Sequence, residues 1–388
     1  MGMRPGYKQT EIGMIPADWG VRSIGQMFRL VNGCPFKPTD WKQSGTPIIR
    51  IQNLNDPYAP FNFSQAPVPE KNRVEPGDLL FAWSGTLGSS FGARVWAGPS
   101  GVLNQHIFRV HMDEGQITLP FSLLVFARVE EDIAKQAHGF KASFVHVKKS
   151  DLVKVDMPVP PLSEQRAIAG ALSDVDALLG ALDRHIAKKR DLKQAAMQQL
   201  LTGQTRLPGF HGEWGVKRLG DVASLSKGTQ LHSSEVDEAG KFAHLNGGTS
   251  PSSYTHKSNT AANTVAISEG GNSCGFVQFM TQPYWCGGHC YSVIPTGLEN
   301  HFLYQALKGQ QSAIMALRVG SGLPNVQKAG LLAFKLRVPT ALPEQAAIAE
   351  VLAEMDAELE GLEQRRDKTR ALKQAMMQEL LTGRTRLV

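Results

Sequence analysis

Cysteine is scarce in this chain, and long apolar runs are missing. Only four of its 388 residues are cysteines, which is too few for a disulfide framework at this length. No stretch approaches the ~20 apolar residues that a membrane helix needs. The start, "MGMRPGYKQTEIGMIPADWG", also lacks the apolar core of a signal peptide. We therefore expect a cytoplasmic protein with no membrane partner.

The familiar catalytic motifs are missing as well. The sequence contains no N-P-P-Y-like tetrad of an adenine methyltransferase, no glycine-rich cofactor loop and no G-x-x-x-x-G-K-[ST] phosphate loop. Its nearest approach, "GSSFGAR" from Gly88, has neither the spacing nor the lysine. Dispersed acidic residues could still form a nuclease centre, because such sites are spread thinly through a sequence. We expect a non-catalytic protein, with that alternative left open.

Metal binding has weak support in the cysteine pattern. Cys274, Cys286 and Cys290 could be proposed as zinc ligands together with His289, but no second close cysteine pair completes the set. His106 in "NQHIF" matches His289 in "GGHCY" and has no cysteine beside it. We therefore expect no metal site.

The net charge of +6 permits nucleic-acid binding and does not establish it.

The chain contains a long internal repeat. "LLTGQTRL" at 200–207 returns as "LLTGRTRL" at 380–387, and the match extends upstream without a gap to "PLSEQ" and "ALPEQ". The offset is a constant 180 residues, as between Glu164 and Glu344. A fainter match joins "DWGVRSIGQM" to "EWGVKRLGDV". We predict four segments, namely a variable domain over 1–155, a helix over 156–207, a second variable domain over 208–335 and a helix over 336–388.

Apolar residues in the repeat follow the spacing of a coiled coil. Ile168, Leu172 and Val175 start a four-three rhythm that continues to Ile186, and the second copy repeats it from Ile348. Prolines at 158, 160 and 161, and at 339 and 343, mark the starts of the helices, and Gly203 and Gly383 fit left-handed caps at their ends. The pattern predicts two helices of ~40 residues, each on the order of 60 Å long.

The charges of the two predicted helices favour antiparallel pairing. Each helix is acidic in its first half and turns basic past the middle, at 184–193 and 365–373. Antiparallel pairing places the acidic half on the basic half, whereas parallel pairing places like on like. Each charge could also simply suit the dipole of its own helix. We predict an antiparallel two-helix coiled coil with a pseudo-twofold internal repeat.

The order of these motifs resembles a known family. "TEIGMIPADWGVRSIG", "GDLLFAWSG" and "VPPLSEQRAIAGAL" precede the first helix, and "NTVAISEGGNSCGFV", "GSGLPNVQKAGLLAFKLRVP" and "LPEQAAIAEVL" precede the second. This arrangement closely resembles the specificity subunit of type I restriction-modification systems. The resemblance covers nearly the whole chain.

That resemblance implies an α+β (mixed α/β) fold with two target recognition domains and a conserved helix pair. Each domain would read one half of a bipartite, asymmetric double-stranded DNA site, and the helices would set the unread spacer. Two methyltransferase subunits would dock on the helices, and restriction-motor subunits would join for cleavage. The chain itself would hold no cofactor, since the methyltransferase binds S-adenosylmethionine and the restriction subunit binds Mg²⁺ and ATP.

Loop residues of both variable domains are the candidates for DNA contact. Lysines would mostly anchor phosphates, while Asn, Gln and Arg are the better base readers. For any single candidate, a plain solvated loop residue is an equally good interpretation. The candidates in the first domain are Lys37, Lys42, Arg50, Asn53, Ser84, Thr86, Lys141, Ser143, His146 and Lys148. Those in the second are Lys227, Gln230, Asn246, Glu269, Asn272, Ser321 and Asn325.

Matching residues outside the apolar seam suggest a partner surface. We predict that the pairs Gln165/Gln345, Lys193/Lys373 and Gln198/Gln378 lie on the outer face and bind two copies of one partner. Recent duplication would also preserve them, so a coiled-coil regulator or scaffold without methyltransferase partners is the alternative. Trp19 and Trp214 stand at equivalent places beside the helix junctions, where we predict packing rather than base stacking.

Overall fold

A computed structural model describes residues 5–137, 144–320 and 322–387. Contacts divide the chain into two compact units, Met1–Gly180 with Asp367–Val388, and Ala181–Arg366. Each unit therefore includes one half of each long helix. The four-segment division at 155, 207 and 335 stays a prediction.

The first unit contains three layers, one of helix and two of β-sheet. Its strands are β1 (Tyr7–Thr10), β2 (Gly13–Pro16), β3 (Gly20–Ser23), β4 (Phe28–Asn32), β5 (Thr46–Ile49), β6 (Asn62–Ser64), β7 (Arg73–Val74), β8 (Leu79–Ala82), β9 (Ser84–Thr86), β10 (Gly92–Val95), β11 (Gly101–Leu103), β12 (Ile107–Met112), β13 (Phe144–His146) and β14 (Asp156–Val159). Its helices are α1 (Ile24–Met27), α2 (Ile51–Asn55), α3 (Leu119–Ala137), α4 (Lys149–Leu152) and the first half of α5 (Leu162–Leu200). Residues 367–380 of the second long helix also belong to this unit. The two four-stranded sheets have the orders β10-β8-β12-β4 and β6-β5-β11-β7.

The second unit repeats this plan in a shorter form. Its strands are β15 (Trp214–Arg218), β16 (Ala223–Lys227), β17 (Phe242–Leu245), β18 (Ser253–Thr255), β19 (Thr264–Ser268), β20 (Val277–Met280), β21 (Trp285–Cys286), β22 (Cys290–Pro295) and β23 (Lys335–Pro339). Its helices are α6 (Leu219–Val222), α7 (Asn300–Gly309), α8 (Gln311–Met315), α9 (Lys328–Ala333) and the first part of α10 (Leu342–Leu380), together with the second half of α5. The sheets have the orders β16-β22-β19-β20 and β18-β17-β21, so the antiparallel sheet of the first unit is repeated strand for strand.

Buried apolar strands explain the layering. In β8 all four residues are buried, because Leu79 and Phe81 pack in the cluster that includes α3, while Leu80 and Ala82 pack with Ile49 of the second sheet. The same division occurs in β19. A strand covered on both faces is expected to read as a continuous apolar run.

Two equivalent glycines allow the chain to cross between the sheets. Gly33 follows β4 and Gly228 follows β16, and a Cβ added at either would overlap a carbonyl oxygen, of Asn104 or of Cys286. The next residues bond the second sheet: Cys34 donates to Leu103 O at 2.7 Å, and Thr229 donates to Cys286 O at 3.0 Å. Only glycine fits this close backbone approach.

The two long helices have the predicted length and caps. Each has 39 residues, and Gly203 and Gly383 follow them with φ of 70° and 69°. Gln204 N bonds Gln199 O at 3.0 Å, which is the hydrogen bond of a Schellman cap. Among the described residues, no helix is both long and apolar enough to cross a membrane.

Ion pairs confirm antiparallel pairing within each unit. In the first unit Lys373 Nζ lies 2.7 Å from Asp176 Oδ1. In the second, Lys189 pairs with Glu358 at 2.6 Å and Lys193 pairs with Asp356. Residue numbers fall along α10 as they rise along α5, so basic halves lie on acidic halves. Exposed pairs each contribute only ~0–1 kcal/mol, but parallel pairing would place like charges together.

Candidate functional site

A buried Glu-Gln dipeptide joins each long helix to its domain. Glu164 accepts a hydrogen bond from Trp19 Nε1 at 2.8 Å and one from Arg386 Nε at 2.6 Å. The second unit repeats this with Glu344, which accepts from Trp214 Nε1 at 3.3 Å and from Arg206. The packing role predicted for the two tryptophans is confirmed, since Trp19 is fully buried and Trp214 packs against the second core.

The outer-face prediction is wrong for Gln165 and Gln345. Both are buried. Gln165 accepts from Thr118 N at 2.9 Å and donates to Pro160 O at 3.0 Å, and Gln345 accepts from Glu299 N at 2.7 Å and donates to Pro339 O at 2.8 Å. The two glutamines match in sequence because each makes equivalent hydrogen bonds inside its own unit.

The outer-face prediction is also wrong for Lys193 and Lys373. Both ammonium groups lie between the helices in the ion pairs with Asp356 and Asp176. Gln198 and Gln378 are exposed, as expected. Gln198 lines a groove of about 410 Å³ with Met197 in the second unit, and Gln378 lines one of about 200 Å³ in the first.

Four of the seven predicted DNA-contact residues of the second unit line one cleft. The cleft has a volume of about 590 Å³ and lies where strand ends meet. Its polar lining includes Lys227 at the end of β16, Asn246 after β17, Glu269 after β19 and His289 before β22. Asn325 is the fourth predicted residue in the lining. Glycines 247, 248, 270 and 271 form much of the remaining wall, which leaves backbone groups accessible.

A polar network fixes Glu269 in this cleft. Lys227 Nζ lies 2.6 Å from Oε1, and Tyr291 donates its hydroxyl to the same oxygen at 3.0 Å. The second oxygen, Oε2, lies 3.5 Å from His289 Nδ1. Burial, followed by the hydrogen bond with Glu269, raises the pKa of Tyr291 to about 12, so the hydroxyl keeps its proton. Only 13% of the Glu269 side chain is exposed.

The first unit has a smaller cleft at the equivalent place. Its volume is about 130 Å³, and Arg50, Asn104 and His106 line it. Arg50 follows β5 as Asn246 follows β17, and His106 precedes β12 as His289 precedes β22. Arg50 donates to Asn62 Oδ1 at 2.9 Å and stacks over Trp41 at 4.6 Å.

Two predicted contacts of the first unit are not on the surface. Asn53 is fully buried, accepts from Arg50 N at 3.0 Å and donates to Ala59 O at 3.1 Å, so it caps α2. Ser84 is buried in β9, opposite His146 in β13. The prediction of direct base contact is therefore wrong for Asn53 and Ser84, because both residues are buried.

The other predicted contacts do not line the clefts. Thr86 is half-buried in β9, and the remaining side chains are exposed: Lys37, Lys42, His146, Lys148, Gln230 and Asn272. Lys141, Ser143 and Ser321 lie outside the described residues. Their roles stay predictions.

Sequence reasoning missed an aromatic cluster in the first unit. Trp83 follows β8, at the place that Glu269 has after β19. Its ring lies 5.1 Å from His106 and 4.7 Å from His146, centroid to centroid. The contacts join residues far apart in sequence, so no local pattern marks the cluster.

The cysteines of the second unit are structural neighbours of the cleft. Cys286 and Cys290 are buried, and the Cys286 thiol donates to Cys290 O at 3.4 Å. His289 points instead to Glu269. In the part of the chain that the structure describes, no three His, Cys, Asp or Glu side chains are grouped as metal ligands.

Comparison with known proteins identifies relatives of both halves. A type I restriction enzyme specificity subunit of Methanocaldococcus jannaschii is 24% identical over 98% of this chain and 96% of its own length. A putative type I specificity subunit of Mycoplasma pneumoniae is 30% identical over 175 residues, and that match spans 46% of its length, or about half. The crystal structure of a type I restriction-modification S subunit from M. genitalium matches 98% of both chains with a TM-score of 0.64 at 18% identity, which shows a common fold.

The family model agrees with the internal repeat. The model of the type I restriction modification DNA specificity domain matches residues 16–189 and again residues 211–369. Each match contains one cleft and one Glu-Gln joint. With two copies of this domain covering most of its length, the chain belongs to the type I restriction-modification specificity family.

Proposed function

We propose that this chain is the DNA-reading subunit of a type I restriction-modification complex, with one half of a bipartite, asymmetric site read by each unit. The observation that carries the proposal is the pair of clefts at equivalent strand ends. The fold around them is repeated, while their linings differ: Arg50 and His106 stand where the second unit has Asn246 and His289. Two different half-sites require two separately variable surfaces on one framework.

The catalytic work belongs to partner subunits in this proposal. Two methyltransferase subunits would bind S-adenosylmethionine and flip the target adenine, and restriction-motor subunits would supply Mg²⁺- and ATP-dependent cleavage. The exposed Gln198 and Gln378, in grooves at equivalent places, support two copies of one docking partner.

The test is a methylation map. The chain would be co-expressed with its neighbouring methyltransferase gene in a methylation-free host, and N6-methyladenine would be mapped by single-molecule sequencing. We expect one bipartite motif that is absent without the chain. Replacing residues 208–335 with the equivalent segment of a relative should change one half-site only.

Two results would contradict the proposal. One is an assembled complex that produces no motif, which would favour the coiled-coil scaffold. The other is a segment exchange that changes both half-sites, because the units would then not read independently.

A further inference from the structure

The cleft of the second unit combines an acid with a base at its strand ends. Among the lining residues in the described part of the chain, Glu269 carries the one carboxylate and Lys227 the one ammonium group. A carboxylate is repelled by the phosphate backbone, so its place in a DNA-facing cleft needs a different reason. Amino groups on base edges are the DNA groups that an acceptor-only side chain can bind.

Glu269 is held in place from several sides. Its backbone N–H donates to His289 O at 2.9 Å, and its carbonyl accepts from Val326 N at 2.8 Å. Lys227 and Tyr291 fix Oε1. Among the described residues, the long contact with His289 is the polar contact of Oε2. The carboxylate is therefore preorganised and keeps acceptor capacity at Oε2.

The Lys227 ammonium group and the Glu269 carboxylate together form a pattern of hydrogen-bonding groups that one base pair matches. The major-groove edge of a C·G pair presents the cytosine N4 donor directly beside the guanine O6 acceptor, with guanine N7 as a further acceptor. Glu269 and Lys227, 2.6 Å apart, offer an acceptor beside a donor. An A·T pair also offers a donor beside an acceptor, but its adenine N7 would face the carboxylate and its thymine methyl would face the ammonium group.

We propose that Glu269 and Lys227 together read one C·G pair in the half-site of the second unit, Glu269 accepting from cytosine N4 and Lys227 donating to guanine. This inference rests on the proposed function and assigns a specificity-determining pair within it. The equivalent place in the first unit holds Trp83, so the first half-site is read by different chemistry.

The experiment is the methylation map of Glu269→Gln in the assembled complex. Glutamine has the same shape but both donates and accepts, and it pairs well with adenine N6 and N7. We expect methylation at the original motif to fall by about tenfold or more at limiting expression, with one C·G position of the second half-site relaxed or changed to A·T. The first half-site should stay unchanged.

A matched control is Glu235→Gln. Glu235 forms an ion pair with Lys257 at 2.7 Å in the same unit, and neither residue lines the cleft. Its motif should equal that of the unaltered chain. If Glu269→Gln does not assemble, Lys227→Met decides, because it removes the donor and should relax the same C·G position.

The outcomes separate the two proposals. A chain that directs no bipartite motif overturns the proposed function itself. A clear motif whose second half-site contains no C·G pair, or whose positions all survive Glu269→Gln, overturns only the assignment of this pair. A change confined to the first half-site also overturns it.

Discussion

Arg386 lies on the buried carboxylate of Glu164, with its Nε 2.6 Å from Oε1. The same guanidinium donates to both oxygens of Asp18 at 2.9 Å. In the second unit Arg206 donates to both carboxylate oxygens of Glu344, at 2.5 Å and 2.7 Å. The repeated "TRL" after each helix is therefore a clamp that fixes the start of the other helix within the same unit.

Removing the clamp should destabilise the first unit. Arg386→Ala leaves Glu164 buried with Trp19 as its remaining partner, and we expect a loss of about 3 kcal/mol in the free energy of unfolding. Urea denaturation of the isolated chain measures it. Arg384→Ala is the control, since the pair of Arg384 with Glu379 is exposed and 3.7 Å long. Equal effects of the two variants would contradict a special role for Arg386.

Acid should weaken the same joint through Asp18. The hydrogen bonds from Arg386 lower the pKa of Asp18 below its ordinary value. Because the folded pKa is the lower one, the contribution is complete above the unfolded value of ~3.9 and is lost as the pH falls through the folded value. Asp18→Asn should therefore flatten the pH dependence of stability below pH ~4. An unchanged acid profile would show that Asp18 does not contribute.

The interhelical register predicts a charge-exchange result. Lys193→Asp should destabilise the second unit by ~1 kcal/mol, because it faces Asp356. The exchanged pair, Lys193→Asp with Asp356→Lys, should recover part of that loss. A double-mutant cycle by thermal unfolding gives the coupling, and we expect ~0.5–1 kcal/mol. Zero coupling would argue against this register.

The two grooves predict a stepwise loss of docking. Gln198→Arg or Gln378→Arg alone should leave one methyltransferase subunit bound, and the double variant should leave none, because each arginine places bulk and charge in one groove. Gel filtration with light scattering measures the complex mass. Gln364→Arg, at an exposed position between the helix ends, is the control. Two subunits on the double variant would place docking elsewhere.

The first cleft predicts an effect on the first half-site, whereas Glu269 is assigned to the second. Trp83→Ala removes the ring that packs against His106 and His146, so the lining of the first cleft should loosen. We expect the methylation map to show relaxed positions in the first half-site only. Trp41→Ala would report separately on the ring beneath Arg50. Relaxation in the second half-site would contradict the assignment of Trp83 to the first.

The helices were predictable because their signals are local. Heptad spacing, cap glycines and the change from acidic to basic residues all lie within one helix length, and the structure has the predicted ends and ion pairs. The candidates Arg50 and Asn246 also occupy equivalent places, since Arg50 follows β5 and Asn246 follows the equivalent strand β17.

The partner surface was less predictable for a physical reason. A duplicated residue can persist because it binds an external partner twice or because it makes the same internal joint twice. Gln165 and Lys193 belong to the second kind, and only their burial and bonding distinguish the two. Asn53 was misjudged similarly, because a capping asparagine and a base-reading asparagine look the same in sequence.

The first unit consists of two segments from opposite ends of the chain, and this sets an order of folding during synthesis. Met377 and Leu380 of α10 belong to the same buried cluster as Ile168 and Leu172 of α5, and Arg386 closes it. The second unit is continuous from Ala181 to Arg366. At 5–20 residues per second, the ribosome needs on the order of ten seconds or more to supply the missing part of the first core. The half that is translated first therefore completes its core last, and until then the apolar side chains that α10 will cover stay uncovered.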